Sequence, residues 1–425
     1  MATPSCPHLR PRCEPPAPIS TSAAHTAGWS GFGNISAVRD TVKVTALGVD
    51  DFQASAAEWL AEHAPDAPPD YGAICPPELI EAGTAWQREI RDAGFAGVHW
   101  PTEFGGAGLT AGHQSAWLLE CARAGAPPFL NMVGLVLAGG AVLRHGTPEQ
   151  RQTHLRATLD AAHVWCQLFS EPGSGSDLAS LTTRAEPDGD SYVVNGQKVW
   201  CSGGRCSNWG ILMARTKSLG DSPKHDGISF FLCPMDLPGI EIQPLRQMTG
   251  ESEFDEVFFT DVQLPADSLL GPLHGGWGVA MSVLTNERGH IGTAVISLER
   301  RLNQMIEMSA DRALDPAARQ ALAALVSTGG AYKAMGQRQG HTAGVAASLM
   351  KLGITQMGFD AAMLRGTSAG ADSLLAGADA SGMLSAPGGR IAGGTSQVQR
   401  NIIGERILGL PREPAPGRSS QKEST

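Results

Sequence analysis

The spacing of apolar residues changes twice along the 425-residue chain, and this change constrains the fold more than any other feature. From about residue 48 to 163, apolar residues recur at helical intervals. From about 164 to 276, runs of β-branched and aromatic residues alternate with turn-forming dipeptides. Helical spacing then returns. This order predicts a mainly α-helical protein with a small antiparallel β domain inserted in it.

Local signals predict where individual elements begin and end. Thr147 is the expected N-cap of the helix PEQRQTHLRATL. In the β region, Asp188-Gly189 and Asn195-Gly196 predict two tight turns between strands. Further on, two long helices are expected at about 316–340 and 342–366, then a Gly-rich segment and a last helix that includes NIIGERILGL.

The predicted domains follow these changes in pattern. They are an N-terminal helical domain over residues 44–163, a middle β domain over 164–276 and a C-terminal helical bundle over 277–412. Residues 1–43 contain six prolines among Ser, Thr and Ala and are predicted to be a disordered extension or translated sequence upstream of the functional start. Residues 413–425 are predicted to be a disordered tail.

Composition excludes several classes of protein. A formal charge of −10 argues against a nucleic-acid-binding surface. The longest apolar stretch, residues 127–143, is too short and too rich in glycine for a membrane span, and no apolar leader begins the chain. The eight cysteines form no Cys-x-x-Cys pattern, which predicts reduced thiols in a cytoplasmic protein. Cys6, His8 and Cys13 lack a fourth ligand, so no metal site is predicted.

Three short segments could carry chemistry, and each also has an ordinary structural interpretation. The segment SEPGSGSD (Ser170 to Asp177) could bind a pyrophosphate through backbone N–H groups, or serve only as a connector. WCSGG could place a flat ring against Trp200 and bond its edge through Ser202, or be a buried tryptophan before a hairpin turn. GGTSQVQRN offers Thr395 or Ser396 as an N-cap and, at the helix N-terminus, an anion site.

Taken together and in this order, the motifs resemble the acyl-CoA dehydrogenase family over about residues 50–412. The matching stretches are WPTEFGGAGLT, HGTPEQR, WCQLFSEPGSGSDLASLTTRAEPDGDSYVVNGQKVWCSGG, FDEVFFTDVQLPADSLLG and GGTSQVQRNIIGERILGLPRE. The resemblance implies an N-terminal helical domain, a middle antiparallel β-barrel-like domain and a C-terminal four-helix bundle.

The resemblance also implies a function and a cofactor. Family members use FAD to oxidise an acyl-CoA thioester to the trans-2-enoyl-CoA, pass the electrons to electron-transfer flavoprotein and assemble as dimers or tetramers. The positions that match the family's FAD contacts are Ser170 and Ser202 at the edge of the flavin ring, Ser176 at the pyrophosphate, Trp200 beside the isoalloxazine, and Thr395 and Gln397 from the C-terminal domain.

The catalytic base departs from the commonest family pattern. The usual position, directly before Gly-Thr, holds Gly393 here. A minority of the family carries the base as a Glu followed by Arg on the first helix of the C-terminal domain, and LTNERGHIG places Glu287 and Arg288 there. Arg288 and His290 are expected to bind the substrate; for His290, one turn beyond Glu287, the alternatives are a structural role and adjustment of the pKa of Glu287. Without the resemblance, a Glu-Arg pair on a helix is an ordinary solvated surface feature.

Two further departures keep other functions open. Family members usually carry an Arg and a Phe-Gly pattern on the second bundle helix and an Arg-Asp pair upstream of the C-terminal motif. This sequence has neither. The alternatives are a noncatalytic subunit of a heteromeric acyl-CoA dehydrogenase, and a flavin monooxygenase or oxidase on the same fold. The sequence does not specify the acyl chain, or whether CoA or a carrier protein bears it.

Overall fold

The computed structural model describes residues 47–69, 71, 74–127, 129–220, 223–287, 291–311, 314–337 and 343–412. The predicted disordered ends lie outside the described residues, as do Cys6, His8 and Cys13. All six cysteines within the described ranges are free thiols.

The N-terminal part is helical because its apolar residues meet on shared faces. In α1, Phe52, Ala56 and Leu60 are buried, whereas Ala61 is exposed. Thr147 caps α5 as predicted, since its hydroxyl accepts a hydrogen bond from the Gln150 N–H at 3.2 Å. A π-helical turn, Val133–Ala138, precedes α4. The helices are α1 (Val49–His63), α2 (Ile80–Asp92), α3 (Ala111–Ala124), α4 (Gly139–His145) and α5 (Pro148–Leu159).

The middle part is one curled sheet of seven strands in the order β1-β4-β2-β3-β7-β6, with β5 also paired to β4. Most pairs are antiparallel, but β4 runs parallel to β1 and meets β2 in parallel at its end. The strands are β1 (Trp165–Leu168), β2 (Arg184–Asp188), β3 (Ser191–Ser202), β4 (Trp209–Arg215), β5 (Ile228–Pro234), β6 (Ile240–Leu245) and β7 (Phe254–Pro265).

The predicted turn at Asn195-Gly196 is wrong, because β3 continues through both residues as one strand of twelve residues. The pairing of β3 with β7 shifts register there, which marks a β-bulge. The Asn195 amide donates to the Asp261 carboxylate at 3.0 Å, and the Asp261 N–H donates back to Asn195. A Cβ on Gly196 would lie 2.4 Å from the Thr183 hydroxyl oxygen, so the bulge requires glycine.

Helix α5 and the sheet meet at a cluster of rings. The Nδ1 atoms of His154 and His163 are 3.2 Å apart, and both imidazoles pack against Trp165 and Trp209. Burial, and then the charge of His163, lower the pKa of His154 to about 4. Burial also lowers the pKa of His163. Both rings are therefore neutral near pH 7.

The C-terminal part is again helical, with a core of Leu302, Met305, Met350, Ile354 and Met357. Within the Gly-rich segment expected after α9, the structure forms α10, which the sequence did not predict. None of its residues is buried, so it lacks an apolar face that periodicity could detect. The helices are α6 (Gly276–Glu287), α7 (Ile291–Asp311), α8 (Pro316–Gln337), α9 (Ala343–Ala369), α10 (Ala378–Gly389) and α11 (Ser396–Ile402).

The predicted fold class is confirmed: helical parts flank a curled sheet. Among the described residues, none of the helices combines the length and apolar character needed to span a bilayer.

Candidate functional site

The Ser170–Asp177 segment forms a tight turn directly after β1. Glu171 and Ser174 exchange both backbone hydrogen bonds, at 3.1 and 3.0 Å. Ideal Cβ atoms on Gly173 and Gly175 would meet no atom within 4 Å, so the tip of the turn faces open space. Ser176 is exposed at this tip. Backbone N–H groups and a hydroxyl are therefore accessible to an anionic ligand.

A buried carboxylate fixes the base of this turn. Glu171 accepts hydrogen bonds from the N–H groups of Thr182 at 2.7 Å and Thr183 at 2.9 Å, and pairs with Lys198 Nζ at 2.8 Å. Burial alone raises the pKa of Glu171, but Lys198 and these hydrogen bonds outweigh it and hold the pKa at about 2. Lys198 Nζ also donates to the Phe169 carbonyl at 3.0 Å. The charges are thus satisfied internally, and the turn is held rigid.

The end of β3 lies beside this turn. The Val199 N–H donates to the Ser170 carbonyl at 2.9 Å, which brings the two predicted ring contacts, Ser170 and Ser202, to neighbouring backbone segments. Trp200 has a positive φ of 62° and is 55% exposed. The alternative of a buried tryptophan is therefore wrong. Ser202 is half-buried and lines a small cavity together with Met132, Val133, Trp165 and Gly203.

The third predicted segment begins α11. Thr395 is its N-cap, because its hydroxyl accepts from the Val398 N–H at 3.2 Å, and Gln397 is exposed. The Gln399 amide donates to the Gly393 carbonyl at 3.2 Å, while its Oε1 is buried without a partner among the described residues. Lys351 Nζ on α9 donates to the carbonyls of Gly394 and Arg390. No hydrogen bond within the described ranges joins Thr395 or Gln397 to the end of β3.

The predicted base stands at the end of a helix, since Glu287 is the last residue of α6. Its side chain is outside what the structure describes, and Arg288 and His290 lie outside the described residues. Helix α6 is held against α4 by a hydrogen bond. Because the Ser282 hydroxyl donates to the Val279 carbonyl at 2.7 Å, His145 Nε2 donates to Ser282 Oγ at 2.9 Å.

Two supporting residues were not singled out from the sequence. Lys198 and Arg215 are both buried, and both hold the backbone around the Ser/Gly turn. A signal for Lys198 existed, because it stands as a charged residue at an inward position of a strand pattern. Arg215 ends an otherwise apolar strand, which is an ordinary place for a charge, so no such signal existed there.

The residues present fit FAD. An open Ser/Gly turn, an exposed indole with the Ser202 hydroxyl two residues on, and the unpartnered Gln399 Oε1 near the Gly393–Gly394 turn offer contacts to a pyrophosphate and to a flat polar ring. A curled sheet between two helical parts, with this set of groups, defines the class of three-domain FAD-dependent oxidoreductases.

Models of the N-terminal, middle and C-terminal domains of acyl-CoA dehydrogenases match residues 50–161, 166–262 and 274–408. The chain therefore belongs to the acyl-CoA dehydrogenase family, the flavoprotein oxidoreductases that act on acyl-CoA substrates. The family assignment predicted from the motifs is confirmed, and with it the cofactor FAD.

Individual relatives cover most of the chain. The acyl-CoA dehydrogenase IpdE1 of Mycobacterium tuberculosis is 36% identical over 389 residues, which cover 86% of this chain and 98% of that protein. Among solved structures, a variant of the Tcur3481-Tcur3483 steroid ACAD is 25% identical, with a TM-score of 0.72 over 86% of this chain and 99% of its own. An acyl-CoA dehydrogenase from Geobacillus kaustophilus has a TM-score of 0.74 at 22% identity, over 86% of this chain and 99% of its own.

Proposed function

We propose that this protein catalyses the α,β-dehydrogenation of an acyl-CoA thioester to the trans-2-enoyl-CoA, with Glu287 as the base that removes the α-proton. The observation that carries this proposal is the combination of a glycine turn at the usual base position with a glutamate, Glu287, as the last residue of α6. Only one of the two positions that the family uses for the base holds a carboxylate here.

The FAD contacts are proposed residue by residue. Ser170 and Ser202 bond the edge of the flavin ring, Trp200 flanks its face, and Ser176 binds the pyrophosphate. Thr395 and Gln397 contact the cofactor from α11. The exposure of Trp200, Ser176 and Gln397 supports these roles, because each side chain is accessible to a ligand. Bound FAD supplies the acceptor for the β-hydrogen, which leaves the substrate as hydride.

The chemistry assigned to the protein is proton abstraction from a weak carbon acid. A carboxylate can act as base when its pKa approaches the working pH, which partial removal from water achieves. Arg288 and His290 are proposed to bind the substrate. Hydrogen bonds to the thioester carbonyl stabilise the charge that develops there.

The acyl group is proposed to contain a ring. Support comes from the names of similar proteins: a steroid ACAD, and a cyclohexane-1-carbonyl-CoA dehydrogenase of Geobacter metallireducens that is 30% identical over 225 residues. Gly393 has no side chain, and this leaves more room there than the usual glutamate would. A bulky acyl group is a physically consistent occupant of that room.

The assembly is proposed to be a homodimer or tetramer with electron-transfer flavoprotein as electron acceptor. Large apolar side chains are exposed in the C-terminal part, at Leu374, Leu375, Ile391, Leu408 and Leu410. Such residues are typical of surfaces that another chain covers. The free thiols within the described ranges support a reducing, cytoplasmic location.

A second candidate function is a partner-dependent subunit of a heteromeric acyl-CoA dehydrogenase. It is favoured by the absence of the Arg-Asp pair upstream of Gly393 and by two solved structures with related folds whose names give two chains, the steroid ACAD and a ChsE4-ChsE5 complex from Mycobacterium tuberculosis. In that case the apolar residues above would meet a different chain.

The test is anaerobic bleaching of the flavin in the purified full-length protein by acyl-CoAs of varied length, branching and ring content. We expect a ring-bearing acyl-CoA to bleach it, and Glu287→Gln to keep the flavin but slow bleaching by about 10²–10⁴-fold. Glu299→Gln is the matched control, since Glu299 on α7 is a surface residue paired with Lys333.

Three outcomes would contradict the proposal. Bleaching by Glu287→Gln at the wild-type rate would exclude Glu287 as the base. Turnover only after addition of a second chain would favour the heteromeric candidate. Hydroxylated product formed with oxygen consumption would indicate a monooxygenase on the same fold.

A further inference from the structure

Two buried side chains of opposite charge hold the backbone segment that follows the Ser/Gly turn. The segment comprises residues 177–183, and the side chains that hold it are Arg215 and Glu171. Arg215, at the end of β4, donates from Nε to the Leu181 carbonyl at 3.0 Å and from a terminal nitrogen to the Ala179 carbonyl at 2.7 Å. Its backbone N–H donates to the Thr183 carbonyl at 2.7 Å. Three carbonyl groups of residues 177–183 therefore accept hydrogen bonds from one arginine.

The N–H groups of the same segment go to a carboxylate. Glu171 accepts from the N–H groups of Thr182 and Thr183 and from the Thr182 hydroxyl, the last at 2.8 Å. Regular sheet pairing does not extend over residues 177–183, whose only helical part is one 3₁₀ turn at Leu178–Ser180. Side-chain charges thus replace the ladder that would otherwise fix this backbone.

The guanidinium of Arg215 makes an unusual choice of partners. Within the described part of the chain its hydrogen bonds go to backbone carbonyls, the other two being those of Asp226 at 3.2 Å and Lys224 at 3.1 Å. Burial lowers the pKa of Arg215, and the nearby charge of Glu171 opposes that effect. Carbonyl partners satisfy the donors of a buried arginine but do not neutralise its charge. The hydrogen bonds of Arg215 therefore fix backbone rather than pair with a carboxylate.

The exposed side of the segment contacts the loop between β4 and β5, which also contains the Lys224 and Asp226 carbonyls bound by Arg215. Lys224 Nζ pairs with the Asp177 carboxylate at 2.6 Å, and the Ser180 hydroxyl donates to it at 2.6 Å. Asp177 directly follows Ser176, whose side chain is exposed. Ser176 therefore lies between the turn fixed by Glu171 and the segment fixed by Arg215.

We propose that Arg215 is a positioning residue for FAD: it holds the 177–183 backbone in its ligand-binding conformation before the cofactor arrives. The proposal rests on the proposed contact of Ser176 with the pyrophosphate. A loop that is already ordered loses less conformational entropy on binding, so the affinity for the cofactor rises. In this role Arg215 acts through the backbone that it holds, since the hydrogen bonds of its guanidinium within the described residues go to backbone carbonyls.

The test compares Arg215→Met and Arg215→Lys with Arg184→Met in the full-length protein. Arg184 is a matched control because it lies opposite Arg215 in the register of β2 and β4, yet is exposed and paired with the exposed Glu186. The first measurement is the dissociation constant of FAD for the stripped protein, which is the full-length protein after removal of its FAD. The second is the amide hydrogen exchange of residues 177–183 with and without FAD.

We expect Arg215→Met to weaken FAD binding by about tenfold or more, Arg215→Lys to recover part of it, and Arg184→Met to match the wild type. Exchange in residues 177–183 should accelerate in stripped Arg215→Met and return to the wild-type rate when FAD saturates the protein. A merely structural role would instead accelerate exchange across β3 and β4 as well, and saturation would not restore it.

Unchanged FAD affinity in Arg215→Met, or accelerated exchange throughout the sheet, would overturn the proposal. Neither measurement involves turnover, so a failure of Glu287 as base leaves both results interpretable. Ser176→Ala separates the remaining assumption: if this variant binds FAD as tightly as the wild type, the pyrophosphate contact is wrong, and the positioning role falls with it.

Discussion

Gly393 and Gly394, in the turn before α11, both have positive φ, at 63° and 94°. For a residue with a Cβ, the left-handed region costs about 1–2 kcal/mol. On Gly394 a Cβ would also lie 2.8 Å from Gln399 Nε2. The backbone of this turn therefore favours glycine at both positions. This agrees with the proposal that α6 supplies the base.

A glutamate returned to the usual position should partly replace the proposed base. We expect Gly393→Glu to restore flavin bleaching in part when introduced into Glu287→Gln, and to lower the free energy of unfolding by about 1–2 kcal/mol because of the backbone strain. Gly388→Glu, at an open site in the last turn of α10, is the control and should restore nothing. Bleaching that stays at the Glu287→Gln rate would argue against a shared reaction centre for the two positions.

At the scale of elements, the orientation of α6 matters because its last residue is the proposed base. The hydrogen bond from His145 on α4 to Ser282 anchors α6 one to two turns before Glu287. Val279 and Val283 bury the same helix in the core shared with the N-terminal helices. The hydrogen bond is directional, whereas the apolar contacts fix the position of the helix without a preferred angle.

Removal of that hydrogen bond should affect the rate more than the affinity. We expect Ser282→Ala to lower kcat by about fivefold with KM little changed, since the net contribution of such a bond is about 1 kcal/mol. Ser309→Ala on α7 is the matched control, because its hydroxyl also donates to a carbonyl of its own helix, at 2.6 Å. An equal loss in both variants would mean that the contact with His145 has no directional role.

The elements that the sequence predicted are those with local causes. Helix α1 follows from apolar spacing, and the starts of α5 and α11 follow from the threonines that cap them. The bulge at Gly196 is accompanied instead by hydrogen bonds between Asn195 and Asp261, far along the chain, and α10 contacts α9 through the ion pair of Arg365 with Asp379 and through Met383, which packs on Gly366. Motifs predicted which residues contact the cofactor, whereas a supporting residue such as Arg215 is defined by tertiary contacts that residue spacing does not reveal.

At the scale of the whole molecule, the His154–His163 cluster joins the N-terminal helices to the sheet. The folded state keeps His154 neutral with a pKa of about 4, whereas the unfolded chain has an ordinary value of about 6.5. The unfolded state therefore binds more protons between these values. Stability from this source is complete above about pH 6.5 and is lost as the pH falls toward 4.

Acid should consequently weaken the wild type more than a variant without this imidazole. We expect the free energy of unfolding to fall by on the order of 2–3 kcal/mol between pH 6.5 and 4, and His154→Gln to flatten that slope while lowering stability at pH 7. Denaturant unfolding at several pH values measures this. His225→Gln, at an exposed ring on Trp277, serves as control, and an unchanged slope in His154→Gln would assign the acid sensitivity elsewhere.

The open tip at Gly173 and Gly175 stands on a base that Glu171 and Lys198 hold from within. If the tip binds the pyrophosphate as proposed, substitutions at Gly173 and Gly175 should change FAD affinity and leave the Glu171–Lys198 pair intact. Randomised libraries at the two tip glycines should yield well-expressed proteins whose colour alone varies. A yellow-to-colourless screen of colonies would then sort flavin affinity without the usual confusion between poor binders and poor folders.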